Sequence, residues 1–483
     1  MKIPFTGQVL VLGCGSVSRC LLPLLRRHID MDFARLTVMD FEDVRPFIAD
    51  TLAAGARFVQ HRITPENLAN TLTQYLGPGD LLIDLAWNID TLELLQWCHD
   101  HNVLYLNTSV EVWDPYNHLE ETPPIDRTLY VRHMALKRLI ASWAEPGSTA
   151  VVEHGANPGL VSHWARRGLE DLSVALLAGS TLEPDRCAAL ASALAERDFS
   201  RMAWHSGVKV IHISERDTQI TNRPKRVDEF VNTWSVEGFY EEGIAPAEMG
   251  WGTHERRLPP GANVPTYGPR NQICLAQMGI HTWVRSWVPG GPIRGMVVRH
   301  GEAFTLSDYL TVWDDDRPIY RPTVHYAYLP TDAAIASLNE MAMNAYDMQS
   351  RVRIMNDEIV DGKDELGVLL LGHDLTGWWT GSQLDIHEAR TLAPGQNATT
   401  LQVAAAVRGA LEWMIRNPRR GVCVPEDLPH REVLAVADPY LGPSPSIPTD
   451  WTPLTGRWEA FDRFGVPAPL PEEVWQFTTF LVN

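Results

Sequence analysis

Through the first 150 residues, short apolar runs alternate with segments of helical period, which is how the βαβ units of a parallel sheet read. The pattern predicts strands at Val9 to Leu12, Leu36 to Met39, Phe58 to Gln60, Leu81 to Leu85, Val103 to Leu106 and Ala150 to Val152. Helices are expected between them at Val17 to Arg27, Glu66 to Tyr75, Thr91 to His101 and Tyr130 to Trp143. This is an α/β arrangement with a doubly wound parallel sheet. After Asn157-Pro158-Gly159 the alternation gives way to tryptophans, tyrosines and acidic clusters, so a second, α+β domain is expected. The expected units are 1–157, 158–396 and 397–483, the last holding an Ala/Val/Leu-rich helix near 397–416 that returns to the first unit. The Pro-rich tail from Pro425 reads as extended chain on the surface.

The chain of 483 residues is too long for one core, which agrees with several domains. Its net charge of −19 would repel nucleic acid and anionic lipid and attract cations. Six scattered cysteines without CxxC pairs suit reduced thiols in a cytosol, no signal segment or membrane span is apparent, and a cytoplasmic protein is expected.

The first strand runs into Gly13-Cys14-Gly15-Ser16-Val17-Ser18 and then a helix. Gly13 permits a tight turn and Gly15 a close approach of backbone to a pyrophosphate, with Ser16 and Val17 at the helix N-terminus. Ser18 stands where a third glycine is common; it serves either close packing or a phosphate contact. Asp40 ends the second strand, where a ribose-binding carboxylate belongs, and a 2′-phosphate there would meet Asp40, Glu42 and Asp43. NAD is therefore expected over NADP, in a Rossmann-like unit. Asn88, Asp90, Thr108 and Glu111 follow later strand ends and should line the cofactor crevice. Asp90 reads equally as a helix N-cap or as a carboxylate facing an amine.

The segments Ile213 to Thr218 and Phe230 to Gly243 interleave carboxylates with aromatics. Such a mixture can box an organic cation, because carboxylates hold ammonium groups and a tryptophan face attracts positive charge. Trp234 alone reads as readily as a core aromatic, Glu241 and Glu242 as a solvated turn, and His300 as a structural histidine. Glu302, Asp361, Asp364 and Glu365 are further polar groups in apolar surroundings. No His/Cys spacing suggests a catalytic metal.

Several blocks together resemble bacterial homospermidine synthase. They are the glycine turn, Gly155-Ala156-Asn157-Pro158-Gly159, Glu215-Arg216-Asp217-Thr218-Gln219, Val231 to Phe239, Gly250 to Glu255, His325-Tyr326-Ala327-Tyr328, Asp361 to Val368 and Pro394 to Thr399. The resemblance implies a saccharopine-dehydrogenase-like fold whose second domain also dimerises. It further implies NAD held as a prosthetic group, a homodimer, and conversion of putrescine to homospermidine with release of ammonia, spermidine being a further candidate substrate. It places Trp234 beside cationic intermediates, and Asp90, Asn157, Glu215, Glu242, His300 and Glu302 around the amine, Asn157 also bordering the cofactor. A further aspartate falls on Asp364 or Asp361, with Asp364 preferred. Two rival readings are a saccharopine- or carboxyspermidine-type reductive dehydrogenase, using Arg216 or Arg294 on a substrate carboxylate, and a non-catalytic NAD sensor.

Overall fold

The computed structural model describes residues 2–117, 121–179 and 182–482, the side chains of Trp458 and Glu459 excepted. The first part is a seven-stranded sheet in the order Val422–Cys423, Ala150–Val151, Leu104–Asn107, Leu81–Asp84, Val9–Leu12, Leu36–Asp40, Arg57–Gln60. Every pairing in it is parallel. All six expected strands are present, with ends moved by one residue, and the four expected helices are in place within two residues. The four middle strands are almost wholly buried because helices cover both faces, which suits their unbroken apolar runs.

Helix Ala398–Arg416 is buried on nearly every side and packs on helices Ser16–His28 and His430–Ala437 and against strand Leu104–Asn107. Its alanines Ala404, Ala405 and Ala406 admit close neighbours. The chain thus comes back to the first sheet, and Val422–Cys423 extends that sheet by a strand too short to have a sequence signal.

The second part is a ten-stranded mixed sheet. Its centre is Val210–Asp217, parallel to Thr323–Leu329 on one side and antiparallel to Lys363–His373 on the other. Side chains alternate between faces along a strand. The registers Tyr328↔Glu215, Leu366↔Glu215 and Asp364↔Asp217 therefore put Glu215, Asp217, Tyr326, Tyr328 and Asp364 on one face.

The opposite face carries His212, Ala327, Leu369 and Trp379, and the C-terminal Trp451, Phe477 and Phe480 cover it. This corrects the expectation of an extended surface tail. The segment contains helix His430–Ala437 and strand Ser446–Thr449, which pairs with Thr376–Asp385, and Phe477 and Phe480 are fully buried. Its aromatics close a sheet face that would otherwise be wet, a contact too distant in sequence for local pattern to reveal. Among the described residues no helix is long and apolar enough to cross a membrane.

Candidate functional site

The glycine turn follows from backbone geometry. Gly13 has φ +78°, and a Cβ there would lie 2.7–2.8 Å from the Leu85 and Ala86 backbone. At Gly15 the reason is the reverse: a Cβ would meet no atom within 4 Å, and helix Ser16–His28 begins there without a side-chain cap. The first-turn amides of Ser16 and Val17 lack intrahelical acceptors, so the turn is an open cradle for an anion. Ser18 is buried and its hydroxyl donates to the Gly13 carbonyl at 2.5 Å, a bond within the turn. Asp40 accepts from the amides of Cys14 at 2.6 Å and Glu42 at 2.9 Å. Those bonds hold a half-buried carboxylate beside the cradle, with a lone pair left on each oxygen for hydroxyl donors. Arg35 turns away to the Thr6 carbonyl at 2.6 Å. These residues fit a dinucleotide with an unmodified ribose.

The other cofactor candidates divide. Asn88 accepts from the Asp114 amide at 2.5 Å, Thr108 packs beside Gly155, and Glu111 accepts from Ser109 at 2.7 Å. Asp90 accepts from the amides of Leu92 at 2.9 Å and Glu93 at 3.0 Å, so it is the N-cap of helix Thr91–His101. Both amides donate to Oδ1, and Asp90 does not line the pocket described next.

A pocket lies between the two parts of the molecule, lined by Glu111, Arg132, Glu241, Glu242, Arg299 and His300 among others. Helix Val236–Ile244, capped by Ser235, brings Glu241 and Glu242 into it. Glu241 is buried and accepts from Trp87 at 3.0 Å, Arg132 at 2.6 Å and Arg299 at 2.5 Å. Two of those donors come from the dinucleotide part, so one carboxylate joins both halves. The arginines hold Glu241 below the ordinary carboxylate range despite its burial. Glu242 has no such partner; His300 Nε2 stands 3.7 Å away, and loss of solvent pushes its carboxyl well up. Glu111 is pushed up to about 7 by burial and by Glu241. His300 is buried with its ring edge-on to Tyr326 at 4.3 Å, and burial lowers it to about 3, so it is neutral at physiological pH.

Next to His300, Glu215 accepts from Asn157 at 3.2 Å and, in a short bond, from the Tyr326 hydroxyl. Burial raises Glu215 to about 8. Asp217 and Asp364 share its face; Asp364 accepts from Thr399 at 2.6 Å and is pushed well up by burial and by the neighbouring Glu215 and Asp217. Asp361 stands apart, its side chain 76% exposed and 3.7 Å from His387. The open choice between the two aspartates thus falls to Asp364 on placement. Trp234 donates to the Tyr328 hydroxyl at 3.0 Å and leans on Phe239 at 5.4 Å. Glu302 is 1% exposed with no partner for either oxygen, and burial together with Glu153, Glu426 and Glu215 raises its carboxyl.

The structure gathers Glu111, Glu215, Glu242, His300, Asn157 and Asp364 and puts Trp234 on the neighbouring tyrosine. Sequence reasoning missed Arg132, Arg299, Tyr326 and Tyr328 as site residues, and left Glu241 open between a cation box and a solvated turn. The i, i+2 spacing of the tyrosines on a strand is a signal that could have found them; Arg132 has none, because its partner is 109 residues away. Arg294 is exposed over Trp283 and Arg216 faces away from Glu215, so neither reaches the pocket.

Comparison with known proteins agrees with this architecture. Residues 9–151 match the saccharopine dehydrogenase NADP binding domain and residues 155–443 the saccharopine dehydrogenase C-terminal domain. Fold and site therefore define a saccharopine-dehydrogenase-type dinucleotide protein. The homospermidine synthase of Blastochloris viridis is 41% identical, covering 99% of this chain and 98% of its own. That of Mesorhizobium japonicum is 39% identical, covering 99% and 97%. The solved homospermidine synthase of Legionella pneumophila in complex with NAD superposes with a TM-score of 0.87 at 36% identity, covering 100% of this chain and 99% of that one. This chain belongs to the homospermidine synthase family, and it is an enzyme.

Proposed function

We propose that the chain joins two putrescines into homospermidine with release of ammonia, using NAD as a resident cofactor that is oxidant and reductant in one cycle. The observation that carries this is the acidic pocket, with Trp234 beside it, next to a cradle fitted to an unphosphorylated ribose. Gly13, Gly15, Ser16, Val17 and Asp40 would hold NAD, with Asn88, Thr108, Glu111 and Asn157 lining the crevice; the neighbour's bound NAD supports NAD over NADP. Bound NAD supplies hydride acceptance from the amine carbon and hydride return after the amines exchange.

The chain's own residues must treat the two ends of the diamine differently. A hydride leaves an amine carbon readily only when that nitrogen is neutral, and an aliphatic ammonium has a pKa of about 10. Passing its proton to an ordinary glutamate costs about 8 kcal/mol. Glu215, raised to about 8, reduces that to about 3 kcal/mol. Glu215 is thus the proton acceptor, and Asn157 orients it. His300, at about 3, is too weak a base for this and serves as a neutral wall. Glu242 holds the far ammonium, and the diamine's positive charge in turn allows Glu242 to ionise. Asp364 and Glu302 add negative potential behind the reacting nitrogen, and Asp90 acts through the helix Thr91–His101 that it caps.

The near amine becomes an iminium, which Trp234 stabilises through its ring face. The second putrescine attacks the iminium carbon through its free amine; Glu215 passes its proton to the departing nitrogen and takes the one that the attacking nitrogen releases, so ammonia leaves and a secondary iminium remains to receive the hydride. Arg132 and Arg299 are what an amino-acid carboxylate would seek, but both are closed on Glu241, which favours a diamine over an amino acid. We place the boundary of the dinucleotide unit near residue 157, with helix Ala398–Arg416 and strand Val422–Cys423 returning to it and the chain from Ser446 belonging to the second sheet. We further read the protein as a cytoplasmic homodimer, for which light scattering should give twice the chain mass.

The decisive experiment uses putrescine bearing deuterium at both amine-adjacent carbons. One deuteron should leave and come back, so homospermidine retains the full label even with unlabelled NADH present, and reduced-nicotinamide absorbance does not climb with turnover. Loss of one deuteron per product means that cofactor exchanges in mid-cycle. NADH accumulating with amine consumption means an amine dehydrogenase.

A further inference from the structure

The strand Thr323–Leu329 lies directly beside Val210–Asp217 and sends two phenols to the site face, Tyr326 and Tyr328. Their rings are parallel within 9° at 5.1 Å. Each hydroxyl engages a different group. Tyr326 donates to Glu215 Oε2, the oxygen that also takes Asn157 Nδ2 at 3.2 Å. Tyr328 accepts from the Trp234 indole N–H at 3.0 Å, and Phe239 packs edge-on against Tyr328 at 5.5 Å and against Trp234 at 5.4 Å. Both tyrosines are buried, at 3% and 1% exposure, so neither hydroxyl has bulk water as an alternative partner.

We propose that Tyr326 and Tyr328 are a pair of positioning residues, Tyr326 holding the Glu215 carboxylate and Tyr328 the Trp234 indole, so that one strand aligns the proton acceptor with the cation-stabilising ring. The inference rests on the roles given above to Glu215 and Trp234. Two donors converging on Oε2 fix the orientation of the carboxylate that accepts the amine proton. An indole whose N–H is tied at one edge cannot swing about its χ angles, and ring orientation decides whether a carbon-centred cation meets the face or the edge.

The two contacts have separate signatures. Glu215 is faced by Asp217 on its own strand, Asp364 on the next, Glu302 on the helix Glu302–Tyr309, and by Tyr326, Tyr328 and Asn157. Burial and Asp217 oppose its ionisation, whereas the hydrogen bonds of Tyr326, Asn157 and Asp364 favour it. Removing the Tyr326 hydroxyl therefore weakens the ionised form, and the acid limb of kcat/KM moves to higher pH. Removing the Tyr328 hydroxyl leaves that limb in place and lowers kcat through Trp234.

The test is the pH profile of the NAD-loaded enzyme with putrescine. Tyr326→Phe should shift the acid limb up by about one pH unit. Tyr328→Phe should leave the limb where it is, lower kcat several-fold, and cost nothing further in a Trp234→Leu background. Should Tyr326→Phe not fold, site-specific 3-fluorotyrosine at position 326 keeps the ring and makes the hydroxyl a stronger donor, so the limb must move down. A limb unmoved by either change overturns the Tyr326 assignment, and fully additive losses of Tyr328→Phe and Trp234→Leu overturn that of Tyr328. Glu215→Gln separates the two levels, since a proton acceptor should lose at least about a hundredfold in turnover. Near-normal turnover of Glu215→Gln removes the underlying reading; a large loss there with an unmoved limb in Tyr326→Phe removes only the inference.

Discussion

The cofactor cradle and the amine pocket are built by different means. At the cradle the working atoms are backbone: the Gly13 turn, the open helix start at Ser16, and two amides that hold Asp40. At the pocket they are side chains drawn from strands and helices far apart in the chain, with carboxylates at Glu242 and Glu302 that lack hydrogen-bond partners on one or both oxygens. The first arrangement is stable before a ligand arrives, because its polar groups are either paired or open to water. The second stores an electrostatic demand. Carboxylates that must either stay protonated or find a cation favour a positively charged ligand, at the expense of stability at higher pH.

If that contrast is right, the largest effect comes from the charge that closes the pocket. Glu241→Ala leaves Arg132 and Arg299 buried without their common carboxylate and should cost about 3–5 kcal/mol of unfolding free energy in denaturant titration. A change within experimental error would show that the arginines find other partners and that Glu241 does not join the two halves.

Next in size is Trp234. Trp234→Leu should slow turnover about thirtyfold, as loss of about 2 kcal/mol of desolvated cation–π attraction requires, and Trp234→Phe markedly less. Equal rates for the two at saturating putrescine would leave Trp234 as a packing residue. At the cradle the expected loss is smaller. Asp40→Ala should weaken NAD about tenfold and narrow its preference over NADP, with unfolding little changed. Unchanged selectivity in calorimetric titration would remove Asp40 from the ribose site.

The smallest effect is a linkage between pH and diamine. Glu215, at about 8, and Glu111, at about 7, are raised above their unfolded values near 4.3, so the folded protein binds more protons and stability falls as pH rises through that window. His154 and His325, each lowered by burial to about 4, act in the opposite sense, their contribution being lost as pH falls below about 6.5. Putrescine without NAD should therefore raise Tm more at pH 8 than at pH 6, by about 2 °C. An equal gain at both values would mean that the diamine does not relieve the buried carboxylates.

The strands and helices of the dinucleotide sheet and its glycine turn were legible in the sequence, because each depends on residues within one βαβ unit. The resemblance singled out Trp234, Asn157, Glu215 and His300, which the fold links through Tyr326 and Tyr328. It left Asp361 against Asp364 open, and the fold separates them: Asp361 ends the short strand Ile359–Asp361, which pairs with Ile220–Thr221, while Asp364 lies on Lys363–His373 in register with Asp217. Folding also decided that the tail closes the second sheet and that Glu241 is held by Trp87, Arg132 and Arg299, contacts spanning 154, 109 and 58 residues. Local pattern determines backbone conformation, which needs only near neighbours. Pairing buried charges and closing a sheet face are decided by which distant side chains desolvate together, and that is set by tertiary packing alone.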